Sequence, residues 1–120
     1  MLQLPFKDFP EIEAMTSERE RNLHQRHFEL LQDWNTRMAL VSRKSIDRSF
    51  ENHYADSIYI SEFAHRYYQK GTLYDLGSGA GFPGVFFAIR YPEIPVVLFE
   101  MVQKKQKFLQ EVISRLGLEN

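Results

Sequence analysis

Four closely spaced glycines and two nearby carboxylates are the residues whose types and spacing could do chemistry. The stretch YDLGSGAGFPG spans residues 74–84 and has glycine at four of its eleven positions. Asp75 precedes the first glycine, and Glu100 follows the next apolar run along the chain. Because glycine adopts backbone conformations that other residues avoid and leaves space for a close approach, this pattern is typical of a loop that holds a ligand. Backbone N–H groups and two carboxylates would recognise that ligand.

The elements around this stretch predict strands alternating with helices. Residues 72–76 form a short apolar, β-prone run that leads into the glycines. Pro83 suits the first turn of a helix, because that position needs no N–H donor. Residues 96–99 are continuously apolar, as expected of a strand buried on both faces. A last helix precedes Gly117, which can cap it. The predicted order over residues 71–120 is β-α-β-α.

The first 70 residues predict helices. Ser17 and Glu20 fit a capping box, in which each side chain would satisfy a backbone N–H of the other residue. Two apolar stripes at helical spacing follow, and they predict a core-facing side for each helix. Their members are Leu23, His27, Leu30, Leu31, Trp34 and Met38 in the first stripe and Ile46, Phe50, Tyr54 and Ile58 in the second. Core packing is the expected role of Trp34 and Met38.

The charges around the glycines decide between two kinds of ligand. The glycine spacing alone would allow a dinucleotide. However, Asp75 would repel a pyrophosphate, and Pro83 removes one N–H that could hold an anion. S-adenosylmethionine fits better, since it carries an ammonium, a sulfonium and a ribose diol. Glu100 can accept hydrogen bonds from the two hydroxyls of the diol. The alternative is that the glycines form only a tight turn and that Glu100 is a solvated charge.

Composition excludes several classes of protein. The chain has 120 residues, a net charge of −1 and no cysteine, so it has no disulfide framework and no overall attraction to polyanions. No apolar run is long enough to span a membrane. His24, His27, His53 and His65 show no metal-ligand spacing with nearby carboxylates, so no metal is expected. We expect a cytoplasmic protein without a membrane partner.

Four segments resemble the GidB/RsmG family of 16S ribosomal RNA methyltransferases over nearly all of residues 20–120. They are YDLGSGAGFPG, VVLFEMVQKKQKFLQEVISRLGLEN, LLQDWNTRMALVS and HYADS. The resemblance implies an α/β fold: a helical cap (residues 1–70), then the first half of a Rossmann-like S-adenosylmethionine methyltransferase sheet (residues 71–120) in the same unit. It also implies methyl transfer from S-adenosylmethionine to N7 of a guanine in the 530 loop of small-subunit ribosomal RNA.

The same resemblance implies a set of site residues. Gly77, Gly79, Gly81 and Phe82 would line the cofactor site, and Glu100 would hold the ribose. Asp75 completes this set on the charge argument above. His53, Asp56 and Ser57 match a family motif before the sheet and would form the floor of the pocket. The sequence identifies no general base, and the free lone pair of guanine N7 needs none if the reactants are well positioned.

A cluster of positive charge predicts where RNA phosphates would bind. Residues 37–48 contain four basic side chains and one acidic side chain. The four are Arg37, Arg43, Lys44 and Arg48. The alternative is a solvated helix junction. A solvated helix face is the expected role of Lys104, Lys105 and Lys107.

Three departures from the family pattern accompany the resemblance. Ala39 stands where the family usually has asparagine, and Gln103 stands where it usually has glycine. The sequence stops at Asn120, where the family's third strand would begin, so a chain of this length is expected to be inactive alone. Two alternative functions therefore remain: a non-catalytic half-domain that acts with a second chain, and a methyltransferase of the same fold with another substrate.

Overall fold

Helices form the first part of the chain and parallel strands enter only after residue 70. The computed structural model describes residues 2–120, so Met1, which begins the predicted cap, lies outside the described residues. A short 3₁₀ turn at Phe6–Asp8 precedes the first helix. The helices are α1 (Pro10–Met15), α2 (Glu18–Asn35), α3 (Arg43–Asp47), α4 (Asp56–Tyr67), α5 (Gly84–Arg90) and α6 (Gln103–Leu116), and the strands are β1 (Leu73–Leu76) and β2 (Val96–Phe99). The predicted α/β class and the β-α-β-α order are confirmed.

Helix α2 begins as predicted, but only half of the capping box forms. The Ser17 hydroxyl accepts from the Glu20 N–H at 3.1 Å. The Glu20 carboxylate does not return to Ser17; both of its oxygens accept from the Arg90 guanidinium, at 3.0 and 3.1 Å. Arg90 is largely buried. A buried guanidinium without a carboxylate costs more free energy than a helix N-terminus that lacks a second side-chain cap. This ion pair joins α2 to α5, and Glu62 adds a link to α4.

The second helical stripe is divided between three elements. A π-helical segment at Phe50–Ala55 separates α3 from α4, and it buries the side chains of Phe50 and Tyr54. Steps of four residues predict a continuous α-helix, whereas a π-helix has a wider turn. Such π-helical turns are rare, and they often occur at functional sites. Here the segment turns the chain against the residues that follow β1.

The two strands pair in parallel and are covered on one face. The register runs from Leu73 opposite Val96 to Leu76 opposite Phe99. On the inner face, Leu98 packs into the core beside α5. The outer face is exposed in the described part of the chain, and its residues are Tyr74, Leu76, Val97 and Phe99. The prediction that residues 96–99 are buried on both faces is therefore wrong for residues 2–120, because the helices described pack on one side only.

One apolar core joins the helical cap to the strands. It contains Leu4, Phe28, Leu31 and Tyr54 from the first part of the chain. From the second part it contains Val85, Phe86, Ile89, Phe108, Leu109, Val112 and Leu116. Trp34 packs at its edge, as expected, and donates to Glu111 at 2.8 Å. Because both parts share this core, the cap can fix the position of the loop that follows β1.

The end of α6 returns the chain to the sheet. Gly117 has a φ of +65° and caps α6 in the left-handed conformation, as predicted. The Asn120 carbonyl then accepts from the Val96 N–H at 2.9 Å. The Asn120 side chain donates to three carbonyls, those of Ala88, Tyr91 and Ile94. No helix within residues 2–120 is both long and apolar enough to cross a membrane.

Candidate cofactor site

The residues between β1 and α5 form a loop at the carboxyl ends of both strands. We call residues 77–83 the glycine loop. The N–H groups of Gly77 and Ser78 both donate to the Phe99 carbonyl, at 2.8 and 3.0 Å. Ser78 is buried, and its hydroxyl donates to the Asp75 carbonyl at 3.2 Å. The loop therefore begins where parallel α/β sheets bind their ligands.

The glycines of this stretch serve two different purposes. Gly77 and Gly79 have φ values of +76° and +54°, which side chains rarely tolerate. A Cβ on Gly77 would meet no atom within 4 Å, so this side of the loop faces open space. A Cβ on Gly84 would lie 2.4 Å from Asp75 Oδ2 and 2.5 Å from Leu98 Cδ2. Gly84 is therefore required for the close packing of α5 on the strands.

Glu100 lies beside the open side of the glycine loop. Its Oε1 accepts from the Gly79 N–H at 2.8 Å, and its Oε2 accepts from the Val102 N–H at 2.9 Å. These two N–H groups hold the pKa of the carboxyl below its usual value. The carboxylate is thus ionised and oriented. Each oxygen retains a lone pair that can accept a further hydrogen bond.

Asp75 lies on the inner face of β1, against the start of α5. Its Oδ2 accepts from the Gly84 N–H at 3.1 Å. The contact places a negative charge at the N-terminus of α5, where an acceptor for a free N–H group is favourable. Asp75 also borders a small cavity of about 150 Å³ between α4 and β1.

Phe82 points to the packed side of the glycine loop. Its ring stacks on Phe86 at 4.9 Å between centroids and on His53 at 4.8 Å. The Tyr54 ring meets it edge-on at 5.1 Å. The Phe82–Pro83 peptide bond is cis. The Phe82 ring therefore anchors the loop to the helices that precede the sheet.

A buried histidine and a buried tyrosine bind the loop from the same side. His27 Nε2 lies 2.7 Å from the Ala80 carbonyl oxygen, and His27 Nδ1 lies 2.7 Å from the Tyr54 hydroxyl. Burial lowers the pKa of His27 to about 4 and raises that of Tyr54, so both side chains are neutral. The sequence patterns placed both residues on apolar stripes and assigned them no polar role. The presence of a histidine within an apolar stripe could have indicated a buried hydrogen bond, because a buried polar group needs a partner.

The three residues predicted for the pocket floor have different environments. His53 reaches the glycine loop through its stacking on Phe82, and burial lowers the pKa of its imidazole. Asp56 is exposed, and its charge acts on His53 in the opposite direction. Ser57 is buried in α4. Of the three, His53 is the one in contact with the loop.

The predicted phosphate-binding residues lie mainly on α3 and its flanks. Arg43, Lys44 and Arg48 are exposed. Arg37 is also exposed, but it pairs with Asp33 at 3.1 Å and lies over the Trp34 ring. Arg43 borders a cleft of about 720 Å³ between α2, α3 and the N-terminal segment. Three of the four positive charges are therefore available to a polyanion.

The open side of the loop fits S-adenosylmethionine by the chemistry of its groups. Glu100 offers acceptors to a ribose diol or an ammonium group, and the space beside Gly77 and Gly79 is free of side-chain atoms. The N–H of Gly79 already donates to Glu100, so the loop presents a carboxylate rather than an anion-binding nest. Across residues 2–120, no group of three or more histidine and acidic side chains could hold a metal ion.

Comparisons with known proteins confirm the resemblance found in the sequence. The chain matches the family GidB, described as rRNA small subunit methyltransferase G, over residues 20–120. Proteins named ribosomal RNA small subunit methyltransferase G are similar: that of Bacteroides fragilis is 33% identical over 99% of this chain and 55% of its own length. That of Syntrophomonas wolfei is 46% identical over 77% of this chain and 42% of its own length. The chain spans about half the length of the curated relatives it matches. It belongs to the GidB family, rRNA small subunit methyltransferase G.

Proposed function

We propose that this chain binds S-adenosylmethionine at the glycine loop and serves methyl transfer to small-subunit ribosomal RNA. The observation that carries the proposal is the Glu100 carboxylate, ionised and held by the Gly79 N–H at the open side of the loop. Membership of a family whose relatives are named as ribosomal RNA methyltransferases supports the substrate class. A cytoplasmic location follows from that substrate.

The residues would hold the cofactor through distinct groups. Glu100 accepts hydrogen bonds from the ribose hydroxyls, and the backbone at Gly77 and Gly79 allows close approach of the ligand. Gly81 supports the loop from the other side, because a Cβ there would lie 2.6 Å from Val85 Cγ2. Asp75 keeps the start of α5 in place and supplies negative charge near the cationic end of the ligand. When bound, S-adenosylmethionine supplies an electrophilic methyl group. His53, Asp56 and Ser57 belong to the cap side of the same site.

We further propose N7 of a guanine in the 530 loop as the methyl acceptor. N7 carries a free lone pair and needs no deprotonation before it attacks a methyl group. The contribution required of the protein is therefore proximity and alignment of the reacting atoms. Residues 1–70 would act as the cap that approaches the RNA, with residues 71–120 holding the cofactor. The exposed charges of Arg43, Lys44 and Arg48 would contact phosphates.

Calorimetry tests the cofactor assignment in the full-length protein that carries this sequence. Glu100→Gln keeps the size of the side chain and removes its charge, and we expect S-adenosylmethionine to bind about 1.5–3 kcal/mol more weakly. Glu93→Gln is the matched control, because exposed Glu93 precedes β2 and lies at the opposite end of the sheet. Unchanged affinity in Glu100→Gln would contradict the assignment. A preference for NAD over S-adenosylmethionine would favour a dinucleotide site.

A methyl-transfer assay with the same full-length protein tests the substrate. Small-subunit RNA should accept methyl groups at a guanine N7 in the 530 loop, and mapping of the modified base checks the position. Modification of a different base or RNA would favour a methyltransferase of this fold with another substrate. Failure to bind S-adenosylmethionine at all would reject the proposed enzyme and leave a non-catalytic role.

Salt titration of RNA binding tests the phosphate contacts. A double variant in which alanine replaces both Arg43 and Lys44 should show a slope of log affinity against log salt that is smaller by up to about two. Replacing Arg66 and Lys70, which are exposed beyond α3, removes the same charge and should leave the slope unchanged. Equal slopes in both double variants would identify the α3 charges as a solvated surface.

A further inference from the structure

We propose that His27 and Tyr54 are positioning residues that hold the glycine loop, from its packed side, in the conformation that receives the cofactor. The inference rests on the proposed function, since it gives the loop a ligand. It extends that function to two side chains that would not touch the ligand. His27 lies on α2 and Tyr54 on the π-helical segment, so both come from the cap rather than from the sheet.

The hydrogen bonds of His27 have a defined direction. The Ala80 carbonyl can only accept, so the hydrogen of the neutral imidazole is on Nε2 and points at the loop. Nδ1 then has a free lone pair, and the Tyr54 hydroxyl donates to it. Tyr54 thereby selects the tautomer that binds Ala80. Both bonds are 2.7 Å long, and neither His27 nor Tyr54 is exposed to solvent.

This chain of bonds is the polar link between the helical cap and the glycine loop. Among the described side chains of residues 2–70, His27 is the one that hydrogen-bonds to the loop. The other hydrogen bonds of the loop are made within residues 75–100. They include those of Gly77 and Ser78 to Phe99, of Ser78 to Asp75, of Gly79 to Glu100 and of Gly81 to Ser78. Ala80 stands between Gly79 and Gly81, which both have positive φ. The hydrogen bond at Ala80 therefore ties the cap to the loop between two residues with positive φ.

His24 shows that burial alone does not explain His27. It lies one turn earlier on α2 and is equally buried, and its ring packs on Phe86 at 4.7 Å. Neither ring nitrogen of His24 has a hydrogen-bond partner among the described residues. The two side chains share type, helix and burial, and they differ in the bonds to Tyr54 and Ala80. His24 is thus a matched control within the molecule.

The experiment compares His27→Phe with His24→Phe in the full-length protein. Two quantities are measured: hydrogen exchange of the amides in residues 77–84, and S-adenosylmethionine affinity. In His27→Phe we expect exchange in the loop to rise and affinity to fall by about fivefold to tenfold, the value of one or two buried hydrogen bonds. In His24→Phe we expect both to stay within about twofold of the parent value.

Two milder variants guard against simple loss of folding. Tyr54→Phe removes only the hydroxyl and should loosen the loop in the same direction. His27→Gln restores an N–H donor close to the position of Nε2 and should recover part of the loss. In the parent protein, the imidazole ¹⁵N spectrum of His27 should show the tautomer protonated at Nε2, and the opposite tautomer would overturn the proposal.

The outcomes separate this inference from the proposed function. Equal exchange and equal affinity in His27→Phe and the parent protein would reject the positioning role. Equal changes in His27→Phe and His24→Phe would reduce His27 to a packing residue. If the parent protein does not bind S-adenosylmethionine, the proposed cofactor fails, whereas the exchange measurement still decides whether His27 holds the loop.

Discussion

The two sides of the glycine loop are held by different physics. On the packed side, His27 is fully buried, and its ring meets those of the partly buried Phe82 and of Phe86 beside the Ala80 carbonyl. On the open side, Gly77 and Gly79 border free space, and the ionised Glu100 accepts from the Gly79 N–H. A loop fixed on one side can present the other without ordering it anew when a ligand binds. The packed face of these seven residues therefore makes the loop rigid, and the open face keeps it accessible to a ligand.

The ionisable side chains on the two sides of the loop also differ in charge. Burial lowers the pKa of His24 to about 3 and that of His27 to about 4, so these two histidines of the packed side carry no charge near neutral pH. Backbone N–H groups lower the pKa of Glu100, so the open side keeps a negative charge. Glu100 therefore offers a cationic ligand a negative charge on the open side.

Removal of the central ring on the packed side should have the largest effect. Phe86 is 1% exposed, and its ring contacts those of His24, His27, Tyr54 and Phe82. Phe86→Ala would leave a cavity among them, and we expect the free energy of unfolding to fall by about 3–5 kcal/mol. Chemical denaturation measures this change. Leu76→Ala on the exposed outer face of β1 is the control and should cost less than about 0.5 kcal/mol. Similar losses in the two variants would show that the packed side contributes no more to stability than the exposed face of the sheet.

Acid should destabilise the packed side through its histidines. In the unfolded chain they bind protons below pH 6.5, whereas in the folded chain His27 and His24 stay neutral down to about pH 4 and 3. The unfolded state therefore holds more protons in this window, so stability falls as the pH falls through it. Between pH 6.5 and 5 each histidine should cost about 2 kcal/mol.

Denaturant unfolding at pH 7 and pH 5 measures this loss. His24→Phe should retain only the part due to His27 and the smaller part due to His53, whose pKa burial also lowers. The variant would then lose about 2 kcal/mol less than the parent chain over the same pH interval. Identical pH profiles would show that His24 is protonated, or solvated, in the folded chain.

Sequence patterns predicted the elements of this site better than its contacts. The strand at residues 96–99 and the left-handed cap at Gly117 were predicted correctly, because local apolar runs and glycine preferences determine them. The exposure of the outer face of the sheet was not predicted, because burial of a second face depends on elements distant in sequence. The bond between Glu20 and Arg90, which replaces the predicted cap, was missed for the same reason, since Arg90 lies 70 positions away. The roles of His53, Glu100 and the glycines as ligand contacts remain predictions.

Closing the contact between α5 and the strands should have an intermediate effect. Gly84→Ala would place a Cβ within 2.4 Å of Asp75 and 2.5 Å of Leu98. Because Leu98 is packed against the core and Asp75 is bound to the Gly84 N–H, the helix would have to shift. We expect a loss of about 1–3 kcal/mol in the free energy of unfolding. An unchanged denaturation midpoint would show that α5 can move freely on the sheet.

The same substitution on the open side should have the smallest effect on stability. In Gly77→Ala the added Cβ meets no atom within 4 Å, so crowding contributes nothing. The remaining cost is that of holding alanine at a φ of +76°, about 1 kcal/mol.

In Gly77→Ala, ligand binding should respond more than folding, because the methyl group would occupy the space assigned to the ligand. We therefore expect Gly77→Ala to weaken S-adenosylmethionine binding by more than its stability loss explains, and Gly84→Ala to show the reverse order. Calorimetry and denaturation of both variants measure the two quantities, and a Gly77→Ala protein that binds S-adenosylmethionine with unaltered affinity would place the ligand elsewhere on the chain.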